Sequence, residues 1–294
     1  MLSVLIPCYN YDCRKIARSL SLQSRRLSET CEIIIGDDAS PDLSYRTLNT
    51  EINSYPNCRY IVNAHNLGRA AHRNYMAVIA KGEWLLFIDC DSEVCDDMFL
   101  ERYMRSRKCD VICGGLCTPE VNPCPEATLR FKYERNADKH RSASERSLCP
   151  YMQLTAFNLM IKKNVFMDIK FDEDCREYGY EDALLGTELE SRGIEILHID
   201  NPLMHVGLEP NNLFLSKSET ALRTLHGLKG KMKGHSHVEN MANKLVRNRL
   251  DGLYTFFYKM TKKMMKANLM GKHPSLLIFS LYKLGFYLCL KREG

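Results

Sequence analysis

The sequence predicts an α/β protein in which a mostly parallel central sheet carries helices on both faces and is followed by a C-terminal helical extension. In the first half of the chain, short apolar runs alternate with longer mixed segments, the pattern of βαβ units. The apolar runs are nearly continuous, as in strands that are buried on both faces. After about Asn211 strand-like segments cease. These three observations define the fold class.

The first half of the chain contains four predicted strands and three predicted helices in alternation. The strands are residues 2–7, 31–38, 60–63 and 83–89. The helices are residues 12–23, 46–52 and 68–82, and Gly82 closes the last of them. The apolar pattern returns at 154–166, and residues 194–207 predict further strands.

The chain divides into a predicted α/β domain, residues 1–211, and a basic, amphipathic helical region, residues 212–294. Within the first domain, residues 118–150 are rich in proline and charge, which predicts a loop-rich insertion or a mobile lid. Residues 274–292 are strongly apolar but interrupted by Lys283, and a spanning helix needs about 20 apolar residues. Two alternatives remain for this segment: a surface-lying amphipathic helix, or a helix packed against the first domain or against a second subunit.

Composition and cysteine usage indicate an intracellular globular protein. The net charge of +5 suits a phosphate-bearing ligand or an anionic membrane surface. It does not by itself indicate nucleic-acid binding. Thirteen cysteines, an odd number at irregular spacing and without a preceding signal peptide, predict reduced thiols in the cytosol. The cluster Cys109, Cys113, Cys117 and Cys124 lacks the paired spacing of zinc sites and predicts buried apolar side chains.

Two carboxylates follow the buried strand "WLLFI", in the stretch "DCD" at Asp89 and Asp91. Side chains at i and i+2 of an extended chain point to the same side. At the carboxyl end of a parallel strand they face the crevice where such sheets bind ligands. Hard oxygen ligands suit Mg²⁺ or Mn²⁺ that is shared with phosphates. The triplet at 172–174 has the same spacing, but only the Asp89 pair follows a buried strand.

Polar side chains also follow the first two strands. Pro7 ends the first, with Tyr9 and Asn10 just after it, and Asp37 and Asp38 end the second. Carboxylates at this edge can accept hydrogen bonds from a nucleobase or a ribose, and a tyrosine can stack on a base. The alternative for "DDAS" is a turn or a helix N-cap, since Asp and Ser are favoured in both.

Five motifs, in order, resemble the inverting family 2 glycosyltransferases of the Rossmann-like GT-A fold. They are "LSVLIPCYN", "EIIIGDDAS", "NAHNLGRAAHRN", "GEWLLFIDCDSE" and "GYEDALLG", and the likeness covers roughly residues 2–207. The resemblance implies a nucleotide-diphosphate sugar donor, by family habit a UDP-sugar. It implies that nine residues form the nucleotide-binding site, with Asn66 and Gly68 in a turn beside it. The nine are Pro7, Tyr9, Asn10, Asp37, Asp38, Asn66, Gly68, Arg69 and Asp89. Arg73 is expected on a solvated helix face.

The resemblance also implies a Mn²⁺ or Mg²⁺ site and a catalytic base. Asp91 and Asp89 match the metal-binding triplet, and His205 is the candidate third ligand. Asp182 would deprotonate the acceptor hydroxyl, and Glu181 would contact the acceptor or orient Asp182. The alternative for this pair is the acidic first turn of a helix, where the macrodipole favours carboxylates.

The expected function is therefore metal-dependent, inverting sugar transfer to a saccharide or lipid-linked acceptor in the synthesis of surface polysaccharide or glycolipid. Tyr178 and Tyr180 are candidates to stack on acceptor sugars. The expected location is the cytoplasm, including the inner membrane face, with peripheral membrane contact or a homodimer through the C-terminal helices and no nucleic-acid partner. An inactive binding or scaffold subunit is one alternative. A sugar-nucleotide pyrophosphorylase is another, although "IPCYNYDCRK" lacks the glycine-rich phosphate loop.

Overall fold

The computed structural model describes residues 1–175, 178–228, 230–232 and 234–293. They form two compact units. The sheet unit comprises Met1–Thr118, Asp138–Arg176 and Glu181–Gly207. The helical unit comprises Pro119–Ala137, Glu177–Tyr180 and Leu208–Gly294.

Ten strands belong to the sheet unit. They are β1 (Leu2–Cys8), β2 (Cys31–Asp37), β3 (Cys58–Val62), β4 (Trp84–Ile88), β5 (Ser92–Val94), β6 (Val111–Cys113), β7 (Leu116–Cys117), β8 (Asn158–Lys162), β9 (Ile196–His198) and β10 (Leu203–His205). Seven of them form the main sheet in the order β3-β2-β1-β4-β8-β6-β9, in which only β8 runs antiparallel to its neighbours. A small second sheet has the order β5-β10-β7.

Twelve α-helices lie in the described part of the chain. They are α1 (Arg14–Ser24), α2 (Leu43–Asn49), α3 (Arg69–Ile79), α4 (Phe99–Arg105), α5 (Thr128–Ala137), α6 (Ala143–Ser147), α7 (Lys163–Ile169), α8 (Glu181–Ser191), α9 (Asn211–Gly227), α10 (His237–Arg247), α11 (Asp251–Leu269) and α12 (Leu276–Glu293). Short 3₁₀ helices cover Thr50–Ser54 and Asp138–His140.

The main sheet is covered on both faces, which confirms the predicted fold class. Alternate residues of one strand belong to different cores: Val4 and Ile6 pack in one cluster, and Leu5 packs in the other. The first cluster includes α1 and α4 residues such as Leu20 and Phe99. The second includes residues of α3, α7 and α8. Continuous apolar strands are thus required because both of their faces are removed from water.

The third predicted helix ends earlier than its sequence pattern indicates. Helix α3 ends at Ile79, and Ala80 is already extended. Gly82 does not cap the helix; a Cβ at this position would lie 2.6 Å from the backbone nitrogen of Ser3. Glycine is therefore needed here because the chain passes directly against β1.

The segment 118–150, expected to be rich in loops, carries α5 and α6 and contributes to both units. Ser142 caps α6 by accepting a hydrogen bond from the Glu145 N–H, and Arg146 is buried, donating to the Cys113 and Ile199 carbonyls. In the helical unit, the amide oxygen of Asn211 accepts from the Leu129 N–H of α5. The local sequence pattern does not predict these helices, because capping and tertiary hydrogen bonds stabilise them.

Helix α12, which corresponds to the apolar segment 274–292, is packed within the helical unit. Its side chains Phe279, Tyr282 and Leu288 are at most 2% exposed. It packs against α9, α10 and α11. The helix is packed, but these partners are helices of its own unit, whereas the second alternative placed it against the first domain or a second subunit. Among the described residues, no helix is long and apolar enough to cross a membrane.

No disulfide bond is present in the part of the chain that the structure describes. Cys113 is buried in the core, whereas Cys109, Cys117 and Cys124 are partly buried. The thiol sulfurs of Cys95 and Cys117 lie 3.7 Å apart without a disulfide bond.

Candidate active site

The carboxyl ends of β1 and β2 bring the first group of predicted site residues to one edge of the sheet. The parallel register pairs Pro7 with Gly36 and Cys8 with Asp37. Tyr9 follows β1 and is 51% exposed, so one face of its ring is open to a ligand. Asn10 adopts a left-handed conformation (φ +49°), and its N–H donates to Ser40 Oγ at 2.8 Å.

The Asp37 side chain stabilises the turn after β2. One carboxylate oxygen accepts from the Ser40 N–H at 2.7 Å, and the other accepts from the Tyr60 hydroxyl at 2.6 Å. The side chain is fully buried. Burial, together with this carboxylate, raises the pKa of Tyr60. These contacts match the turn alternative for Asp37.

Asp38 holds the loop that leads into α3. Its carboxylate accepts from the backbone N–H groups of Leu67 and Gly68, each at 2.9 Å, and from the Asn63 amide at 2.8 Å. Asn66 donates to the Asp38 carbonyl at 2.9 Å, and Gly68 has φ +84°, where glycine is favoured. The predicted turn residues therefore fix the position at which α3 begins.

A closed network of two arginines and two carboxylates lies between α3, the end of β4 and the start of α8. Arg73 Nη2 donates to Asp89 Oδ1 at 2.5 Å, and Arg69 Nε lies 3.1 Å from Glu181 Oε1. The cross pairs are Arg69 to Asp89 at 3.7 Å and Arg73 to Glu181 at 3.6 Å. Two positive and two negative charges thus neutralise one another in a largely buried position.

The network favours the ionised form of Asp89. Burial acts to raise its pKa, but the guanidinium groups of Arg73 and Arg69 outweigh this effect and hold the pKa below its usual value. Its carboxylate is consequently engaged by arginines on both oxygens.

The expectation that Arg73 lies on a solvated helix face is wrong. Its side chain is 3% exposed, and its guanidinium carbon lies 5.6 Å from the centre of the Phe171 ring. The sequence holds a signal for this position. Ala70 and Ala77, three residues before and four residues after it, are buried, so Arg73 shares the inward face of α3.

Asp91 and His205 come together through the small sheet. Antiparallel pairing of β5 with β10 places Ser92 opposite His205. Asp91 Oδ2 then lies 3.2 Å from His205 Nε2. Gly207 permits this approach, because a Cβ there would lie 2.5 Å from the Asp91 Cβ. The ring of Phe157 packs edge-on against His205 at 5.4 Å.

The Asp91–His205 pair fits two neighbouring ligands of one divalent cation. Ligands about 2.1 Å from an octahedral ion lie about 3 Å from each other when adjacent, close to the observed separation. Carboxylate oxygen and imidazole nitrogen are both donors that Mn²⁺ accepts. No group of three or more His, Cys, Asp or Glu side chains arranged to hold a metal occurs in the described ranges. Further ligands would have to come from a bound molecule and water.

Asp182 lies in the first turn of α8 and presents two different carboxylate oxygens. Oδ2 accepts from the Ala156 N–H at 3.0 Å and from Thr155 Oγ1 at 3.2 Å. Oδ1 has no hydrogen-bond partner in the part of the chain that the structure describes. Burial, reinforced by Glu181, raises the pKa of Asp182 to about 6, against the opposing charge of Arg73. Such a carboxylate ionises near neutral pH, and its Oδ1 is a buried proton acceptor that no described group uses.

The chain is similar in sequence to known glycosyltransferases. The family model described as Glycosyl transferase family 2 matches residues 3–148. The poly(ribitol-phosphate) beta-glucosyltransferase of Bacillus spizizenii is 36% identical over 120 residues, which are 39% of this chain and 19% of that protein. This chain thus spans about a fifth of that relative's length.

Solved structures share the fold over nearly the whole chain. The mannosyltransferase PcManGT from Pyrobaculum calidifontis, in complex with GDP-Man and Mn²⁺, has a TM-score of 0.55 and 12% identity, covering 99% of this chain and 86% of that one. S. aureus TarS 1–349 in complex with UDP has a TM-score of 0.52 and 15% identity, covering 99% and 90%. The fold is therefore that of the GT-A glycosyltransferases, as predicted.

The chain belongs to glycosyltransferase family 2. The predicted family is thereby confirmed. The structure collects Asp89, Arg69 and Glu181 in one network, and it pairs Asp91 with His205. The ligand-binding roles of the site residues stay predictions.

Sequence reasoning missed the residues that support Asp182. Thr155 and Ala156 precede β8 and belong to the stretch "LTAF", which carries no charge or motif. Only the approach of this segment to α8 shows that its backbone N–H anchors the carboxylate.

Proposed function

We propose that the chain is an inverting glycosyltransferase that moves a sugar from a nucleotide-diphosphate donor to a hydroxyl of a saccharide or lipid-linked acceptor, with Asp182 as the general base. The observation that carries this proposal is the asymmetry of Asp182. One of its oxygens is anchored by a backbone N–H and a hydroxyl, and the other has no partner among the described residues. An anchored carboxylate with a pKa of about 6 suits proton abstraction at neutral pH.

The proposed donor site uses the strand ends. The exposed ring of Tyr9 would stack on the base, while Asp37 and Asp38 hold the surrounding loops in place. UDP or another nucleotide diphosphate is supported by the complexes of the two structural neighbours, with UDP and with GDP-Man. Arg69 is partly exposed and would face the phosphates.

Asp91 and His205 would hold a Mn²⁺ or Mg²⁺ ion beside the diphosphate. When bound, the ion would neutralise charge that develops on the departing diphosphate. Arg73 keeps Asp89 ionised, and Asp89 and Glu181 in turn orient both arginines. These four side chains thus form a charge-balanced network beside the proposed reaction centre.

A role in wall-polymer synthesis is supported by the relative that is named for poly(ribitol-phosphate) glucosylation. An acceptor of this class would be a polyol or saccharide that bears phosphate. The alternative of an inactive scaffold subunit is less well supported, because a buried carboxylate with a raised pKa and an unused oxygen costs stability without a reaction to serve.

Asp91→Ala is expected to remove metal-dependent nucleotide binding. In calorimetric titrations, wild-type protein should bind UDP or another nucleotide diphosphate at least ten-fold more tightly with Mn²⁺ than with EDTA, and the variant should lose that difference. Asp174→Ala is the matched control, because Asp174 belongs to the other triplet with the same spacing and is exposed. Equal metal dependence in Asp91→Ala and wild type would contradict the metal assignment.

Peripheral membrane contact has its strongest support in α11. Five apolar side chains lie on one side of this helix and are each at least 56% exposed: Leu253, Phe256, Phe257, Met260 and Met264. Their spacing of three and four residues makes one continuous row, the α11 stripe. Exposed lysines at 259, 262, 263 and 266 accompany it. An apolar row with lysines complements the surface of an anionic bilayer.

Met260→Glu is expected to reduce sedimentation of the protein with vesicles that contain anionic phosphatidylglycerol. A charge in the centre of the α11 stripe opposes insertion, so binding should fall several-fold, and wild-type binding should weaken at high salt. Leu277→Glu is the matched control, since Leu277 is equally exposed, at 69%, but lies outside the stripe. A wild-type dimer that Met260→Glu dissociates, without vesicle binding, would assign the stripe to self-association instead.

A further inference from the structure

The helical unit contains a cavity of about 200 Å³ that the proposed reaction does not use. Its walls come from α5, α9, α10, α12 and the short segment 178–180. The lining combines aromatic rings with two cationic side chains, Arg130 and Lys283. Every lining residue belongs to the helical unit, so the cavity is a feature of that unit alone.

Three packed aromatic rings form one wall of this cavity. Phe214 and Phe279 have ring centroids 5.4 Å apart, and Tyr133 lies 5.9 and 5.7 Å from them. Phe214 and Phe279 are buried, whereas Tyr133 is 39% exposed. A rigid aromatic wall with an accessible tyrosine offers a flat apolar face and a hydroxyl, which suits the C–H faces and hydroxyl groups of a sugar or polyol.

The two cations differ in their charge balance. Arg130 forms an ion pair with the buried Glu134 and lies over the Phe214 ring at 4.7 Å. Lys283 Nζ lies 4.5 Å from the centre of the Phe279 ring and 5.3 Å from that of Tyr133. No described carboxylate lies within ion-pair distance of Lys283. One positive charge at the cavity is therefore left uncompensated.

The opposite wall is held in an unusual backbone conformation. Gly179 and Tyr180 both have positive φ, +102° and +70°. Gly179 packs so closely on α9 that a Cβ there would lie 2.7 Å from the Ala221 Cβ. Thr224 Oγ1 donates to the Tyr178 carbonyl at 3.2 Å. Left-handed conformation at a tyrosine is retained only where surrounding contacts enforce it, and here it turns two tyrosines toward the cavity.

We propose that this cavity binds a phosphate-bearing polyol or monosaccharide unit, with Lys283 receiving the phosphate and the exposed Tyr133 ring receiving the carbon skeleton. An uncompensated ammonium takes a phosphate with charge-assisted hydrogen bonds, and the adjacent rings exclude water from that contact. The site would hold one repeat unit of an anionic acceptor. This inference rests on the proposed function for its acceptor role, but not for the binding itself.

The test is calorimetric titration of the full chain with ribitol 5-phosphate as the probe. Wild-type protein is expected to bind it, and Lys283→Met is expected to weaken binding about ten-fold or more. Lys272→Met removes the same charge from an exposed position of the same unit and should leave the affinity unchanged. Tyr133→Leu should weaken binding of both ribitol 5-phosphate and ribitol, since it removes the ring and not the charge.

Parallel titrations with UDP and Mn²⁺ separate this proposal from the proposed function. If UDP binds to wild type and Lys283→Met alike while ribitol 5-phosphate fails to bind wild type, the cavity assignment is overturned and the donor site stands. If ribitol 5-phosphate binds through Lys283 and no nucleotide binds, the cavity stands and the transferase proposal fails. Inorganic phosphate binding as tightly as ribitol 5-phosphate would reduce the cavity to a simple anion site and overturn the polyol assignment.

Discussion

Asp182→Asn is expected to lower the rate of sugar transfer, or of slow donor hydrolysis by water, by about 10²–10⁴-fold. The amide cannot take a proton from the acceptor hydroxyl. Its oxygen can still accept from the Ala156 N–H and the Thr155 hydroxyl, so the local structure should persist. Release of the nucleoside diphosphate from the nucleotide-sugar is the measurement, because it does not require the acceptor to be identified.

The pH dependence of the wild type follows from the same carboxyl group. The base acts in its ionised form, so the rate should rise with pH through the pKa of about 6 and level off above it. The folding stability changes in the opposite direction and decreases as pH rises. The pKa of Asp182 is about 4 in the unfolded chain and about 6 in the folded protein. The free energy of unfolding therefore falls as pH rises from about 4 to about 6, because the unfolded chain loses this proton first. Asp182→Asn should therefore unfold at a higher temperature than wild type above pH 6, and this difference should vanish below pH 4.

Two controls accompany Asp182→Asn. Asp168→Asn changes an exposed aspartate and should alter neither rate nor stability. Nucleotide affinity should be unchanged in Asp182→Asn, since the residue is assigned to the acceptor side. A variant that transfers sugar at the wild-type rate would remove Asp182 from the mechanism.

Arg73→Met is expected to destabilise the protein by about 3–5 kcal/mol. The methionine fills part of the space but leaves Asp89 and Glu181 facing each other with only Arg69 to compensate them. Removing one partner from a buried ionic network is costly because the remaining charges stay desolvated. The same change should weaken metal-dependent nucleotide binding, since Asp89 is a predicted nucleotide contact and metal ligand and would lose its orientation.

Urea unfolding at several pH values checks this prediction. In the wild type, Arg73 keeps the pKa of Asp89 low, so the pair stabilises the fold above the unfolded pKa of about 4, and this stabilisation is lost as pH falls through the folded pKa. The difference between wild type and Arg73→Met should therefore shrink at low pH. Arg192→Met is the control: Arg192 pairs with Glu188 on the surface of α8, is 42% exposed, and should cost less than about 1 kcal/mol. Equal effects of the two substitutions would show that the network at Arg73 contributes no more than a surface ion pair.

The two aspartates after β2 show how far motif reasoning extends. Their position at the ligand-binding edge follows from the strand pattern alone, because parallel strands end at one edge. The direction of their side chains does not follow from it. Asp38 faces the N–H groups of Leu67 and Gly68, and Asp37 faces Tyr60, so both act on the loops around the site. Contacts between segments about 30 residues apart determine this, and no local pattern encodes them.

The sequence by itself determined the fold class, the strands β1, β2 and β4, the glycosyltransferase motifs and the helical C-terminal region. These features depend on hydrophobic periodicity and on short spacings, which are local properties of the chain. The tertiary structure alone decided that Arg73 pairs with Asp89, that Asp91 meets His205, that Thr155 and Ala156 anchor Asp182, and that α12 is packed while α11 carries the exposed stripe. The physical reason is that burial and charge compensation depend on which distant segments come into contact, and an ionisable side chain has the same local signature whether water or another side chain surrounds it.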